Sequence, residues 1–344
     1  MRETGYKGIL LEQNKEPLLS RGIRELERLP VQEAFFSEER PDPAQLNASR
    51  LQNIAYEAQI IDESDGVQLW KKLAKASRDG ALAIVVDALD DEPYISSQLC
   101  IALWMDDELE DAITIVKDAL GIERAVVEIY RNLTDIDIRI PSKIGNYRVR
   151  RVGGTYPAEL RVRKNESKLL IIGACALIHL YRAVTRCRIQ TTAFVSVAGD
   201  CIANPANYEI PLDCTVAQVL SASGLIAPPK RIVTGGSMTG IGVTDPTSVR
   251  VRPATRGILA FAEQFDDLGF SCIGCGRCVD VCPQGLSPYF VHKLLRAHRR
   301  GTARRAAEGC NCCGACSYVC PAKLDLSHRI YEVAADGRRG GEET

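Results

Sequence analysis

Eight of the chain's fourteen cysteines fall in two runs of identical spacing, and that repeat constrains the fold more than any other feature. The first run is Cys272-Ile-Gly-Cys275-Gly-Arg-Cys278-Val-Asp-Val-Cys282-Pro283, and the second is Cys310-Asn-Cys-Cys313-Gly-Ala-Cys316-Ser-Tyr-Val-Cys320-Pro321. Both read C-x2-C-x2-C-x3-C-P, the spacing that wraps a loop around three irons of a [4Fe–4S] cube. Gly274, Gly276 and Gly314 relieve backbone crowding within the loops, and the prolines end them. In two-cluster proteins the fourth cysteine of each run reaches the other cluster. The expected ligand sets are therefore Cys272, Cys275, Cys278 and Cys320 for one cluster, and Cys310, Cys313, Cys316 and Cys282 for the other. Structural zinc would use two C-x2-4-C pairs or mixed Cys/His ligands. A disulfide framework would spread its cysteines through a short secreted chain. Neither fits this pattern, and Cys312 reads as a packed free thiol.

Between the runs, Tyr289, Phe290, Leu294 and Leu295 recur near helical spacing, and His292–Cys310 carries six Lys/Arg against Glu308 alone. This basic linker reads either as a solvated helix face or as a dock for an acidic partner. Residues 61–120 hold 14 Asp/Glu against 5 Lys/Arg, so the chain is electrically polarised although its net charge is −1. That balance gives no argument for nucleic acid. The charged N-terminus has no apolar leader-like core, and Leu169 to Tyr181, the longest apolar run, is too short to span a bilayer. A reducing cytoplasm is the expected setting, and 344 residues exceed what one core organises.

Residues 1–50 read as an extended arm, with a helix expected over Arg21–Leu29. Helices are expected over Arg50–Ala58 and Gly66–Ala76, and the apolar run Leu82–Asp87 predicts a buried parallel strand. After the acidic loop Asp90–Tyr94, Ser96 or Ser97 is expected to cap one helix reaching Leu120, with Gly121 stopping it. Ala125–Tyr130 and Leu169–Ile172 read as further strands and Cys175–Thr185 as a helix, so this part is a parallel α/β domain. From Arg188 the texture becomes α+β. Strands are expected over Thr191–Val197, Tyr208–Pro211 and Arg231–Thr234, with a helix over Thr215–Ser223 capped by Asp213. Gly235 and Gly236 offer backbone that something can approach closely. His179 reads as a core histidine, and His292 and His298 do not have metal-pair spacing.

The ordered set of elements resembles the C component of the Rnf ion-pumping complex, with the proline reductase-associated electron-transfer protein and the microcompartment cobalamin reductases as relatives. The resemblance rests on Asp87-Ala-Leu-Asp-Asp-Glu92-Pro93-Tyr94, Tyr181-Arg182-Ala183-Val184, Val197-Ala-Gly-Asp200, Asn204-Pro205-Ala-Asn207-Tyr208, Gly235-Gly236-Ser-Met238-Thr-Gly240 and both cysteine runs. It implies an α/β and α+β multidomain protein. Residues 1–50 would be the arm, 51–187 a Rossmann-like parallel α/β domain of the flavin/NADH type, 188–255 a β-grasp module of the SLBB type, 256–335 a helical dicluster ferredoxin domain, and 336–344 a disordered tail. The resemblance leads one to expect that about 50 polar residues stand where the family usually carries an N-terminal lipoyl-like domain.

The family's flavin and NADH site centres on a stretch of the form G-x-G-G-A-G-F-P-T. Here the corresponding residues are Asp62-Glu63-Ser64-Asp65-Gly66-Val67-Gln68-Leu69, where only Gly66 remains and three carboxylates replace phosphate-cradling amides. Tyr156-Pro157-Ala158-Glu159 likewise lacks a glycine of the family's Y-P-x-G-x-E element. Gly66, Glu92 and Tyr94 are the vestigial flavin-site candidates. The expected cofactors are thus two [4Fe–4S] clusters, without FMN or NADH. The expected role is an electron-transfer subunit of a hetero-oligomeric complex, cytoplasmic or peripheral to a membrane complex. It would relay electrons from a flavoprotein or Rnf-like donor to a terminal reductase such as a proline reductase-type enzyme. A complete NADH-oxidising FMN enzyme, or an adaptor with structural clusters, are the alternatives.

Overall fold

A computed structural model describes residues 18–19, 22–130, 139–153, 156–157, 168–263 and 271–339. The chain forms two compact units. The first takes Met1–Gly154, Ala158–Ser237 and Ile241–Ala262; the second takes Thr155–Pro157, Met238–Gly240 and Glu263–Thr344.

The first unit is built on two sheets. One is five-stranded. Its centre is β2 (Ala83–Ala88), which pairs in parallel with β3 (Arg124–Tyr130) on one side and β6 (Leu169–Gly173) on the other. The short hairpin β4 (Lys143–Ile144) and β5 (Tyr147–Val152) extends it, with β5 parallel to β3. Ile84, Val86, Val127 and Ile172 are fully buried because helices cover both faces of a parallel sheet. Those helices are α1 (Ala48–Glu57), α2 (Leu69–Asp79), α3 (Ser97–Trp104), α4 (Asp106–Leu120) and α5 (Ala174–Arg186).

The second sheet has six strands in the order β1-β8-β7-β11-β9-β10. They are β1 (Ile23–Glu25), β7 (Thr192–Ala198), β8 (Ala206–Pro211), β9 (Arg231–Thr234), β10 (Ile241–Gly242) and β11 (Gly257–Phe261). The helix α6 (Val216–Ala222) buries Val216, Val219 and Leu220 in the same core as Val195, Val197, Ile210 and Ile258.

Several expectations are corrected. Ile23–Glu25 is not helical: it adds in parallel to β8, where sheet pairing outweighs the helical propensity of Arg21–Leu29. The arm is also not wholly extended, since Leu18 and Leu19 are buried and α1 begins at Ala48. Strand β11 lies beyond residue 255, the boundary expected for the β-grasp module, and pairs with both β7 and β9. The helix expected from Ser96 to Leu120 breaks at Met105 (φ −127°, ψ 37°). Asp106, Asp107 and Glu108 then start a new helix, where acidic residues favour the first turn, while the Trp104 indole donates to the Leu19 carbonyl at 2.8 Å. Thr215, not Asp213, caps α6 through a reciprocal bond pair with Gln218; Asp213 occupies a left-handed turn position (φ 66°). The last helix runs from Leu326 to Arg339, so positions 336–339 are helical and not tail, and 340–344 lie outside the described residues.

A buried polar seam joins the two sheets of the first unit. The Ser96 amide donates to Ser196 Oγ at 2.9 Å, Ser196 Oγ donates to Asn207 Oδ1 at 2.7 Å, and Arg256 reaches Asp90 at 3.0 Å. Glu209 on β8 meets Arg182 of α5 at 2.7 Å and accepts from Thr192 at 2.7 Å. Burial would raise the Glu209 carboxyl, but Arg182 outweighs it and holds the group below its ordinary value. Arg182→Met would leave Glu209 buried with only Arg188, at 3.6 Å, as a cation, and is expected to cost about 3 kcal/mol of unfolding free energy in urea titrations. The double variant with Glu209→Gln should recover most of that loss.

Candidate iron–sulfur centres

The second unit is a small helical body formed by short elements around two cysteine-lined cavities. Its helices are α7 (Arg277–Asp280), α8 (Pro288–Arg296), α9 (Arg300–Ala306), α10 (Ala315–Tyr318) and α11 (Leu326–Arg339). Pro288 at the first turn and the Ser287 side chain start α8, whose basic residues fall in its last turn. Val291, Leu294, Ala303, Ile330 and Val333 form the common core.

The two cysteine runs fold alike. Gly276 opens α7 at φ 77°, ψ −12°, and Gly314 opens α10 at φ 79°, ψ −13°. An L side chain is strained at both positions. Their surroundings differ. A Cβ on Gly276 would meet nothing, whereas one on Gly314 would collide with the Met238 carbonyl. Met238 and Tyr156 come from earlier chain segments that belong to this unit, and Tyr156 donates its hydroxyl to the Cys313 carbonyl at 2.7 Å. Of the Tyr156-Pro157-Ala158-Glu159 element, Ala158 and Glu159 lie outside the described residues.

Cys272, Cys275, Cys278 and Cys320 line the first cavity, together with Tyr289 and His292. Cys282, Cys310, Cys313 and Cys316 line the second, with Cys312 beside them. Each cavity therefore receives the first three motif thiols of one run and the last thiol of the other, and the second cavity receives Cys312 as well. The free spaces, counted with their open mouths, are nearly equal at about 360 and 350 Å³. A donor set of four thiols, with mostly apolar walls, suits a [4Fe–4S] cube in each. No three His, Cys, Asp or Glu side chains converge on a single-ion site among the described residues.

Burial pushes the Cys278 and Cys313 thiols up and Cys316 to about 12, so iron bound there would have to displace their protons. Cys312 is half-buried, adopts φ 57°, and is pushed to about 11, chiefly by burial and then by Cys310 and Cys313. Cys272 and Cys275 are exposed, and Ile273 between them is 70% exposed.

The candidates for a flavin site fall elsewhere, in the first unit. The carboxylates of Asp62 and Glu63 turn inward onto the junction of β6 and α5. Glu63 accepts from the Cys175 amide at 3.0 Å and the Ala176 amide at 2.9 Å, while the Gly173 amide donates to Asp62 at 3.1 Å. A helix N-terminus at the carboxyl end of a parallel strand is where such sheets bind anions. Here the chain's own carboxylates stand there. Gly173 permits it, since a Cβ would collide with the Glu63 carboxylate.

Lys72 completes the group, at 2.6 Å from Asp62 and 2.8 Å from Asp65. Burial would lower Lys72, but Asp62 and Asp65 outweigh it and hold the ammonium above its ordinary value. Gly66 sits exposed in the Asp62–Gly66 turn (φ 72°). Glu92 is 6% exposed and packs against Gly236, where a Cβ would collide with it. Tyr94 adopts φ 67° and sets its ring edge-on to Phe261 at 5.2 Å. His179 is a core residue at 5.1 Å from the Phe194 ring, and burial foremost drives it down to about 3.

The architecture and cavities define a class: a dicluster iron–sulfur protein carrying a β-grasp module. Residues 271–324 match the 4Fe-4S dicluster domain family, and residues 194–242 match the SLBB domain family. The chain is 27% identical over 248 residues to the C component of the ion-translocating oxidoreductase complex of Rhodobacter capsulatus, covering 66% of this chain and 48% of that protein. It is 24% identical over 229 residues to the C component of the Na(+)-translocating ferredoxin:NAD(+) oxidoreductase complex of Acetobacterium woodii, covering 60% and 51%. The chain is thus similar to Rnf C components, and it spans about half the length of the curated relatives it matches. Its fold is shared with a chain of the NAD+-reducing [NiFe]-hydrogenase in the air-oxidised state, at TM-score 0.58 and 13% identity, covering 89% of this chain and 67% of that one.

Two outcomes test these sites. Gly314→Ala combines backbone strain with the Met238 clash, so bound iron should fall from about eight to about four per chain, while Gly276→Ala, strained only, should keep most of its iron. Burial, and secondarily Asp62, raises Glu63 to about 8. A raised carboxyl contributes stability below its unfolded value near 4.5 and loses it as pH climbs through about 8. Urea denaturation should therefore weaken between pH 6 and 8.5, by up to about 1.4 kcal/mol per unit, and Glu63→Gln should flatten that slope.

Proposed function

We propose that the chain is an electron-transfer subunit that holds one [4Fe–4S] cluster on Cys272, Cys275, Cys278 and Cys320 and a second on Cys310, Cys313, Cys316 and Cys282. The observation that carries this reading is the pair of similar cavities, each lined by the first three motif thiols of one run and the last of the other. Bound there, the clusters supply one-electron oxidation and reduction. The residues around them shape the wire. The exchanged thiols Cys282 and Cys320 tie each run to both cavities, which keeps the two centres within one rigid core.

Arg277, Lys293, Arg296, Arg299, Arg304 and Arg305 are exposed on the same unit, and Ile273 projects at the mouth of the first cavity. This surface suits a redox partner with an acidic rim. In this reading the donor is a flavoprotein or another member of an Rnf-like complex, and the acceptor a terminal reductase such as a proline reductase-type enzyme. The chain would work within a hetero-oligomer, cytoplasmic or peripheral to a membrane complex. No helix among the described residues is long and apolar enough to cross a membrane.

The reading does not include FMN or NADH. Asp62 and Glu63 fill the α5 N-terminus and take the backbone amides that a dinucleotide phosphate would need there. Anaerobic purification with iron, sulfide and flavin counts tests the whole proposal. About eight irons and eight sulfides with no flavin are expected. Four or fewer irons would break the two-cluster assignment, and stoichiometric FMN reduced by NADH would favour a complete flavoenzyme instead.

A further inference from the structure

His292 lies on α8 and is 4% exposed. Its ring lines the first cavity beside Cys272, Cys275, Cys278 and Cys320. Its Nε2 is buried and has no hydrogen-bond partner among the described residues. Leaving such a group unsatisfied is costly, so a buried ring nitrogen of a cavity-lining residue points to a partner inside the cavity. The environment selects which tautomer meets it. A cube of sulfides and thiolates is rich in acceptors and net negative, so it attracts an N–H and repels a nitrogen lone pair. The neighbouring walls, such as Ile273, Pro321, Ala322 and Leu324, offer no side-chain donor, and their low polarity strengthens whatever hydrogen bond forms there.

We propose that His292 donates its Nε2–H to a sulfur of the cluster held by Cys272, Cys275, Cys278 and Cys320, and thereby raises that cluster's reduction potential. The proposal rests on the cluster assignment above. The physical reason for the direction is that reduction adds one negative charge to the cube. A fixed donor therefore stabilises the reduced form more than the oxidised form. His292 lines the first cavity and not the second, so it acts on one centre of the pair and biases where an electron resides. It is a positioning and tuning residue, not a ligand.

EPR-monitored redox titration of the anaerobically purified protein tests this. In His292→Leu, which keeps an apolar side chain of related volume, one cluster should become harder to reduce by about tenfold in its reduced-to-oxidised ratio, or about 59 mV for a one-electron step. The other cluster should stay unchanged, and His292→Gln, which retains a donor, should recover part of the shift. A His292→Leu protein with its full iron complement and two unaltered midpoints overturns the proposal. A second measurement covers a variant that loses iron. In wild-type protein labelled with 15N-histidine and exchanged into D2O, pulsed EPR of the reduced protein should show weak couplings from one histidine nitrogen and one exchangeable deuteron. Absence of both couplings overturns the proposal as well. Wild-type protein without two EPR-active clusters would instead remove the cluster assignment itself, a result readable from the iron count before any variant is made.

Discussion

The arrangement on which the second unit depends is the reciprocal placement of two thiols. Cys320 stands in the cavity of the first run and Cys282 in that of the second. Without the last cysteine of the other run, neither cavity has its full set of motif thiols. Each loop needs the other in place, and the short helices α7 and α10, four residues each, would not persist without that closure. The hydrophobic core beneath is small, and Cys278 belongs to it. Cluster-ligand thiols and apolar packing would thus share one scaffold, which would link iron binding thermodynamically to folding there.

A second theme runs through the first unit. Its buried carboxylates turn onto the protein's own backbone and side chains. Asp62 and Glu63 stand at the α5 N-terminus, Asp90 accepts from the Leu99 amide at 2.9 Å and pairs with Arg256, and Glu209 pairs with Arg182. The acidic character of residues 61–120 is therefore split. Asp107 and Asp118 face solvent, while Asp62, Glu63, Asp87, Asp90, Asp91 and Glu92 are buried. Those buried groups stabilise one arrangement of loops and sheets, because each left unpaired would cost several kcal/mol.

How far the sequence carries depends on the range of the interaction. Cysteine spacing is a local property, and it is the same chemistry in any context, so the two runs are legible at once. The apolar strands Ala83–Ala88 and Leu169–Gly173 are legible because a doubly covered parallel strand needs a continuous apolar run. The break at Met105 is not, because Trp104 turns toward the Leu19 carbonyl, a partner 85 residues away. Ile23–Glu25 reads as helix in the sequence because its strand exists only by pairing with β8. The spacing of His292 from His298 carries no metal signal, whereas the meaning of His292 lies in which cavity its ring lines. The one sequence signal for it is a histidine on the helix that follows Cys282.

By itself the sequence determined the spacing of the cysteine runs, the α/β character of the first part and the presence of one glycine among the carboxylates of Asp62–Leu69. Those are properties of residue type and near neighbours. Only the tertiary structure decided which thiols share a cavity, that the Asp62 and Glu63 carboxylates close a helix N-terminus, and that His292 lines the first cavity with an unpartnered buried nitrogen. Burial and hydrogen-bond partnership are set by residues distant in the chain, and spacing alone cannot supply them.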